Sequence, residues 1–340
     1  MKNSYSLIFC LLLLEILSVC TVGCQQKQKA QTEISPKKII TPLETVGSII
    51  DTADYDQRMW ALNNNGTFEN RKNKTPYPLP GAVLPYKRVV AFYGNLYCKR
   101  MGILGELPKN QMLNKLLEMT EQWKLADSTL PTVPALHYIA ITAQRQPGKN
   151  NKYRLRMPFK QIDTIVAWAN SINGIVFLDV QVGQSSVKEE VNTLTKYLKL
   201  PNVHLAIDPE FAMKEGEIPG TKIGTLSSHT INEAISILAH LVKENNLPPK
   251  ILVIHRFTKA MVTDYQNIKP CPEVQIVMNM DGFGNKALKR SSYRIAIYRE
   301  PVQFTGFKLF FKNDTRDKQR LYTPEELLLF SPKPIYIQYQ

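Results

Sequence analysis

The feature that most constrains the fold is a rhythm. After residue 80, eight short apolar runs recur at 89–93, 136–142, 174–180, 203–207, 251–254, 274–280, 307–311 and 334–338. Helical spacing fills most of the intervals. Within 109–124, Met112, Leu113, Leu116 and Leu117 share one helical face, and within 159–172 Ile162, Ile165, Val166 and Ala169 do the same. Ser186 with Glu189, and Thr230 with Glu233, have capping-box spacing at the start of two further helices. A shorter helix is expected over 258–266. Thr323-Pro324 with Glu326 marks another start, proline suiting the first helical position. The segment 282–305 reads equally as helix or hairpin. Strands alternating with helices in this way imply an α/β fold, a (β/α)₈ TIM barrel. The barrel is expected over 81–340 without a last helix, since the sequence given stops at Gln340. Residues 46–80 form an N-terminal extension, of which 48–63 (Ile49, Ile50, Trp60, Leu62) is expected to pack where that helix is missing.

In such a barrel, catalytic groups gather at the carboxyl ends of the strands. Tyr93 follows from the first run, and the third ends in Asp179-Val-Gln181. The fourth ends in Asp208-Pro-Glu210, where an extended chain turns i and i+2 to the same side. The fifth supplies His255 and Arg256, the sixth Asp281, the seventh Asp314 and the eighth Gln338. A scaffold alone does not need polar residues at nearly every strand exit, although an Asp-Pro turn at 208–209 accounts for one of them. Two carboxyl groups facing one space suit glycoside hydrolysis, which needs a protonated acid and a second group. Glu210 is the candidate acid, because Asp208 beside it raises its pKa by like-charge repulsion. Asp179 and Asp281 complete the candidate catalytic set. Tyr93, Gln181, His255, Arg256, Asp314 and Gln338 are candidate substrate contacts. Metal-assisted hydrolysis through Asp179, Asp208, His255 and Asp281 is an alternative that ranks lower, because no two histidines stand at ligand spacing. No metal and no other cofactor is expected. A serine nucleophile is excluded on the absence of a G-x-S-x-G elbow.

Charge and the amino terminus bear on location. The net charge of +14 survives loss of residues 1–23, which removes one lysine and one glutamate. It favours anionic surroundings such as acidic glycans, envelope polymers or lipid headgroups. No zinc-finger spacing, RNA-recognition motif or basic heptad helix points to nucleic acid. Residues 1–23 resemble a bacterial lipoprotein signal peptide. Lys2 precedes the apolar stretch 7–14, and Thr21-Val-Gly-Cys24 resembles a lipobox with Cys24 as the lipidated residue. Glu15 interrupts the apolar stretch well short of the ~20 residues a membrane span needs. The polar stretch after Cys24, to residue 45, has the composition of a flexible tether. Cys98 and Cys271 fall at opposite ends of the expected barrel, so no bridge between them is expected.

Two resemblances add to this reading. The motifs Val89-Val-Ala-Phe-Tyr-Gly94, Asp208-Pro-Glu210 and Met278-Asn-Met-Asp281 resemble those of chitinase-like glycoside hydrolases of family 18. That resemblance implies a proton donor at Glu210, a partner at Asp208 supporting substrate assistance, and a sugar-acetamido contact at Asp281. Departures are Ala206 and His204 where the family has aspartates, and Met280 where it has tyrosine. Residues 86–340 also resemble uncharacterised bacterial TIM-barrel lipoproteins, through Met-Gly-Ile-Leu-Gly-Glu at 101–106, Asp-Pro-Glu-Phe at 208–211, His-x-Phe at 255–257 and Met-Asp-Gly at 280–282. The expectation is an exported, lipid-anchored glycoside hydrolase, on the outer side of the cytoplasmic membrane or in the outer membrane, acting on an envelope or extracellular glycan. A non-catalytic binder of glycan or another anionic polymer is the alternative. Oligomeric state is not readable from these features.

Overall fold

A computed structural model describes residues 50–64 and 75–340. The leader, Cys24 and the tether expected over 1–45 lie outside the described residues. Eight parallel strands close into a barrel. They are β1 (Arg88–Gly94), β2 (Thr132–Ala143), β3 (Ile175–Val180), β4 (Val203–Ile207), β5 (Lys250–His255), β6 (Val274–Met280), β7 (Phe304–Leu309) and β8 (Tyr336–Tyr339). Each pairs with the next, and β1 pairs with both β2 and β8, which closes the ring. Arg154–Arg156 adds a short antiparallel strand to the end of β2. The runs at 203–207 and 274–280 have the expected bounds. β7 begins three residues earlier than expected and β2 four, because both are buried along most of their length and carry little period-two signal.

The pleat sends alternate residues inward. In the lower half these are apolar: Val89 and Ala91 on β1, Ile175 and Phe177 on β3, Ile251 and Val253 on β5. All pack in one cluster with Tyr55, Met59 and Leu62. Those three lie on helix α1 (Thr52–Leu62), capped by Asp51, whose carboxylate accepts from the amides of Ala53 and Asp54. α1 therefore packs at the amino-terminal end of the barrel, and Lys333 N donates to Leu62 O at 2.6 Å. The outward strand residues form a second cluster with the helices around the barrel.

Those helices include α2 (Lys109–Ala126), α3 (Phe159–Asn170), α4 (Val187–Thr193), α5 (Ser228–Glu244), α6 (Lys286–Ser292) and α7 (Pro324–Leu328). α7 carries a complete capping box, with Thr323 and Glu326 exchanging side-chain and backbone hydrogen bonds. Ser186 caps α4, but the Glu189 side chain does not return to the cap: it accepts from Arg154 and Arg156. α5 starts earlier than expected, because Ser227, not Thr230, caps it. No helix forms over 258–266. Two 3₁₀ turns and the pair Val262–Thr263 stand there, with Val262 and Thr263 pairing Leu226 and Ser227. The segment 282–305 resolves into α6, continued by a π-helical turn over Tyr293–Tyr298. Cys271 is a free thiol, so no bridge joins it to Cys98. Among the described residues no helix is long and apolar enough to cross a membrane.

Phe177 marks the boundary between the apolar and polar halves of the interior. Its ring stacks on His137 at 5.5 Å and meets Tyr336 edge-on at 5.2 Å. Replacing this buried ring with alanine is expected to cost about 3–5 kcal/mol, read from the shift in urea midpoint. Leu125→Ala, on the exposed face of α2, is expected to stay within about 0.5 kcal/mol.

Candidate active site

Above Phe177 the inward positions become polar. Tyr93, Asp179 and Lys308 lie near the ends of β1, β3 and β7, and His255 ends β5. Asp208 and Asp281 directly follow β4 and β6. Over them opens a cavity of about 380 Å³, lined by Tyr93, Gln181, Asp208, Glu210, Asp281 and Lys308. Phe257, Phe283, Phe310 and Phe311 add aromatic wall, while Arg100, Lys312 and Arg316 add positive charge. A larger groove of about 480 Å³ runs outside the barrel between α6 and α7, lined by Lys286, Arg290 and Arg294. It lies away from the buried acids at the strand ends.

Asp208 and Glu210 reach this cavity by a route other than an extended chain. Asp208 caps a 3₁₀ turn, Pro209–Phe211, and its Oδ1 accepts from Glu210 N at 3.0 Å. The Asp-Pro turn and the site are thus one feature. Opposite, the run 101–106 folds tightly against the end of β1. A Cβ on Gly102 would lie 2.2 Å from Tyr93 O, and one on Gly105 would lie 2.0 Å from Asn95 O. Only glycine allows this approach, which brings Met101 and Glu106 to the cavity wall.

Burial dominates the electrostatics. Glu210 is half-buried, and burial pushes its carboxyl well above the ordinary range, with Asp208 and then Asp281 adding repulsion. Asp208 is pushed up to about 7, first by burial, although His255 and Lys308 pull it down. Asp179 is held below its ordinary range: the attraction of His255, and contacts with His137 and His255, outweigh the cost of burial. His255 is buried yet raised to about 10, because its carboxylate neighbours, Asp179 foremost, outweigh burial. His137 is lowered to about 4, mainly by burial. The upper barrel therefore separates a deep carboxylate held below the ordinary range, Asp179, from Asp208 and Glu210 nearer the cavity, which are pushed above it. Lys308 feels both sets of carboxyls, and its Nζ lies 3.7 Å from the centre of the Tyr93 ring.

Five of the residues expected from sequence line the cavity: Tyr93, Gln181, Asp208, Glu210 and Asp281. Gln181 Nε2 stands 3.4 Å from Tyr93 Oη and 3.5 Å from Asp208 Oδ2. Asp179 and His255 lie beneath the floor, both fully buried. Gln338 is buried too, its Nε2 donating to Tyr336 Oη and its Oε1 accepting from Asn279. Two expected substrate contacts are corrected. Arg256 follows inward-facing His255 and so points outward, where it donates to Lys259 O and Val262 O and pairs with Glu300. Asp314 folds back from beyond β7 and accepts from Lys289 Nζ at 2.6 Å, Phe310 N at 2.9 Å and Gly284 N at 2.9 Å. His137 and Lys308 were not expected. His137 sits mid-strand and Lys308 near the end of its strand, each between apolar neighbours, and the signal that finds them is inward parity once the strands are aligned: Tyr93 pairs His137 across β1 and β2.

No protein-family model matches the chain, so none stands behind the chitinase-like resemblance. No curated protein matches it either. Among solved structures, the Bacillus subtilis mannanase man26 is similar at 12% identity, with a TM-score of 0.38, over 84% of this chain and 84% of that one. The roles discussed below rest on geometry alone.

Asp314 is a brace whose loss is measurable. It faces Lys289, which is 1% exposed and lowered to about 8 by burial against the pull of Asp314. Asp314→Ala is expected to cost about 3–5 kcal/mol in chemical denaturation, by leaving a buried ammonium without its partner. The double replacement Lys289→Met with Asp314→Leu is expected to cost clearly less. Equal losses in the two variants contradict this role.

Proposed function

We propose that the protein is a glycoside hydrolase, exported and anchored through a lipid on Cys24, that acts on an envelope or extracellular glycan. The observation that carries this reading is the place of Glu210 at the wall of the cavity with Asp208 and Asp281, where burial and then their repulsion push its carboxyl above the ordinary range. A half-buried carboxyl with two acidic neighbours, its pKa raised, is suited to donate to a leaving glycosidic oxygen. Asp208 is the partner whose repulsion adds to burial in raising the Glu210 carboxyl. Asp281 sits on the same wall, and Tyr93 and Gln181 are placed to bind sugar hydroxyls. The four phenylalanines offer faces for the apolar side of a sugar ring. The positive residues at the rim, Arg100, Lys312 and Arg316, favour a substrate bearing acidic groups.

A panel of neutral and acidic glycans, incubated with the protein and with Glu210→Gln, tests the assignment. Turnover of at least one glycan is expected, and the variant is expected to lose roughly 10²-fold or more in kcat/KM while still binding. Equal turnover by both removes Glu210 from the chemistry. Binding without turnover by the wild type favours a glycan-binding lipoprotein instead.

The raised carboxyls give a second test with a definite sign. A carboxyl whose folded pKa lies above its unfolded value costs stability once pH passes the unfolded value, because the fold disfavours the charged form. Asp208→Asn removes one such charge, so its melting temperature is expected to exceed that of wild type at about pH 8 and to match it at about pH 4. The alkaline limb of activity is expected to move toward lower pH in this variant, since Glu210 loses the repulsion of Asp208. An unmoved limb shows that Asp208 does not set the Glu210 proton.

A further inference from the structure

Beneath the cavity floor, His137, Asp179 and His255 converge from β2, β3 and β5. All three are fully buried. One ligand-type atom of each lies within 4.8 Å of the others. His137 Nε2 and His255 Nε2 each stand 3.5 Å from Asp179 Oδ2. These separations are long for hydrogen bonds. Both Nε2 atoms and both Asp179 oxygens lack a hydrogen-bond partner among the described residues. Buried polar atoms are rarely left so, and four of them facing one another call for an explanation.

The outer edges of the rings supply the second observation. His255 Nδ1 lies 2.9 Å from Asp281 Oδ2, and His137 Nδ1 lies 2.5 Å from Tyr336 Oη. Each imidazole is thus held by a polar group on Nδ1 and turned so that Nε2 faces inward, the arrangement typical of metal-binding histidines. The spacing also selects a geometry. Ligands about 2.0–2.1 Å from a tetrahedral ion lie about 3.4 Å apart, whereas adjacent ligands of an octahedral ion lie about 3.0 Å apart. The two imidazole–carboxylate separations of 3.5 Å match the tetrahedral edge, and the third separation lies within 4.8 Å. Two imidazoles and one carboxylate form a donor set suited to zinc-type ions.

We infer that His137 Nε2, Asp179 and His255 Nε2 form a binding site for one divalent transition-metal ion of the zinc type, buried under the glycan cavity. Tyr93 covers the site on the cavity side, its ring 5.1 Å from that of His137 and 6.0 Å from that of His255. Asp281 connects the two levels, since it lines the cavity and holds His255. On binding, the ion displaces the proton that His255 otherwise carries, takes over as the counter-charge of the buried Asp179 carboxylate, and ties three strands together beneath the site. The inference does not depend on the glycosidase reading, because its readout is binding.

The test uses the full chain, stripped with chelator and titrated with Zn²⁺ by calorimetry and with Co²⁺ by visible absorption. One equivalent per chain is expected, with the intense ligand-field bands of four-coordinate Co²⁺. His137→Gln and Asp179→Asn are each expected to weaken Zn²⁺ binding at least 10-fold, whereas Glu210→Gln is expected to keep it unchanged. Absence of stoichiometric binding overturns the site, and so do weak six-coordinate Co²⁺ bands. Undiminished affinity in folded His137→Gln and Asp179→Asn overturns it as well. If either variant fails to fold, the wild-type Co²⁺ spectrum decides alone.

Discussion

The structure depends on the pleat of a closed barrel, which puts every second strand residue into a space reached from one end. In the lower half that space is filled by apolar side chains and plugged by α1. In the upper half it holds carboxylates, imidazoles and an ammonium that water does not fully solvate. Charge in such a place must be neutralised by a neighbour or by a proton. Every distinctive property of the site follows from that requirement.

The two outcomes occur a few ångströms apart. Asp179 stays ionised chiefly because His255, raised to about 10, approaches it from β5, with the neutral His137 beside it on β2. Among the described residues Glu210 and Asp208 form no ion pair, and each is pushed toward its neutral form, first by burial. Lys308 is shared among all four carboxyls, so it does not neutralise any one of them. A fold that held ion pairs at every position would have no proton to donate. The unequal distribution of cations makes the upper barrel a candidate for acid catalysis.

Much of this was legible in the sequence, and the failures are instructive. Strand β4 and the acids after it could be read directly, because an apolar run ending in Asp-Pro-Glu carries its own boundary. Helix α7 was legible from Thr323, Pro324 and Glu326. His137 was not, since Leu136 and Tyr138 beside it make the stretch look like plain core, and only alignment with Tyr93 shows which way it faces. Arg256 was misread for the converse reason. It follows His255, and a strand that turns one inward turns the next outward. Asp314 was assigned by its place after β7, but its contacts come from a loop that folds back on Lys289, Phe310 and Gly284, and no local pattern encodes that return.

The proposed role needs Glu210 to hold a proton near neutrality, and burial beside Asp208 pushes its carboxyl in that direction. Infrared difference spectroscopy across a pH titration, with Glu210→Gln as the subtraction, reads that proton directly. The account predicts a protonated-carboxyl band at neutral pH that is absent from the variant and disappears only on further alkalinisation. A carboxyl already ionised at about pH 5, as for an exposed glutamate, would contradict it.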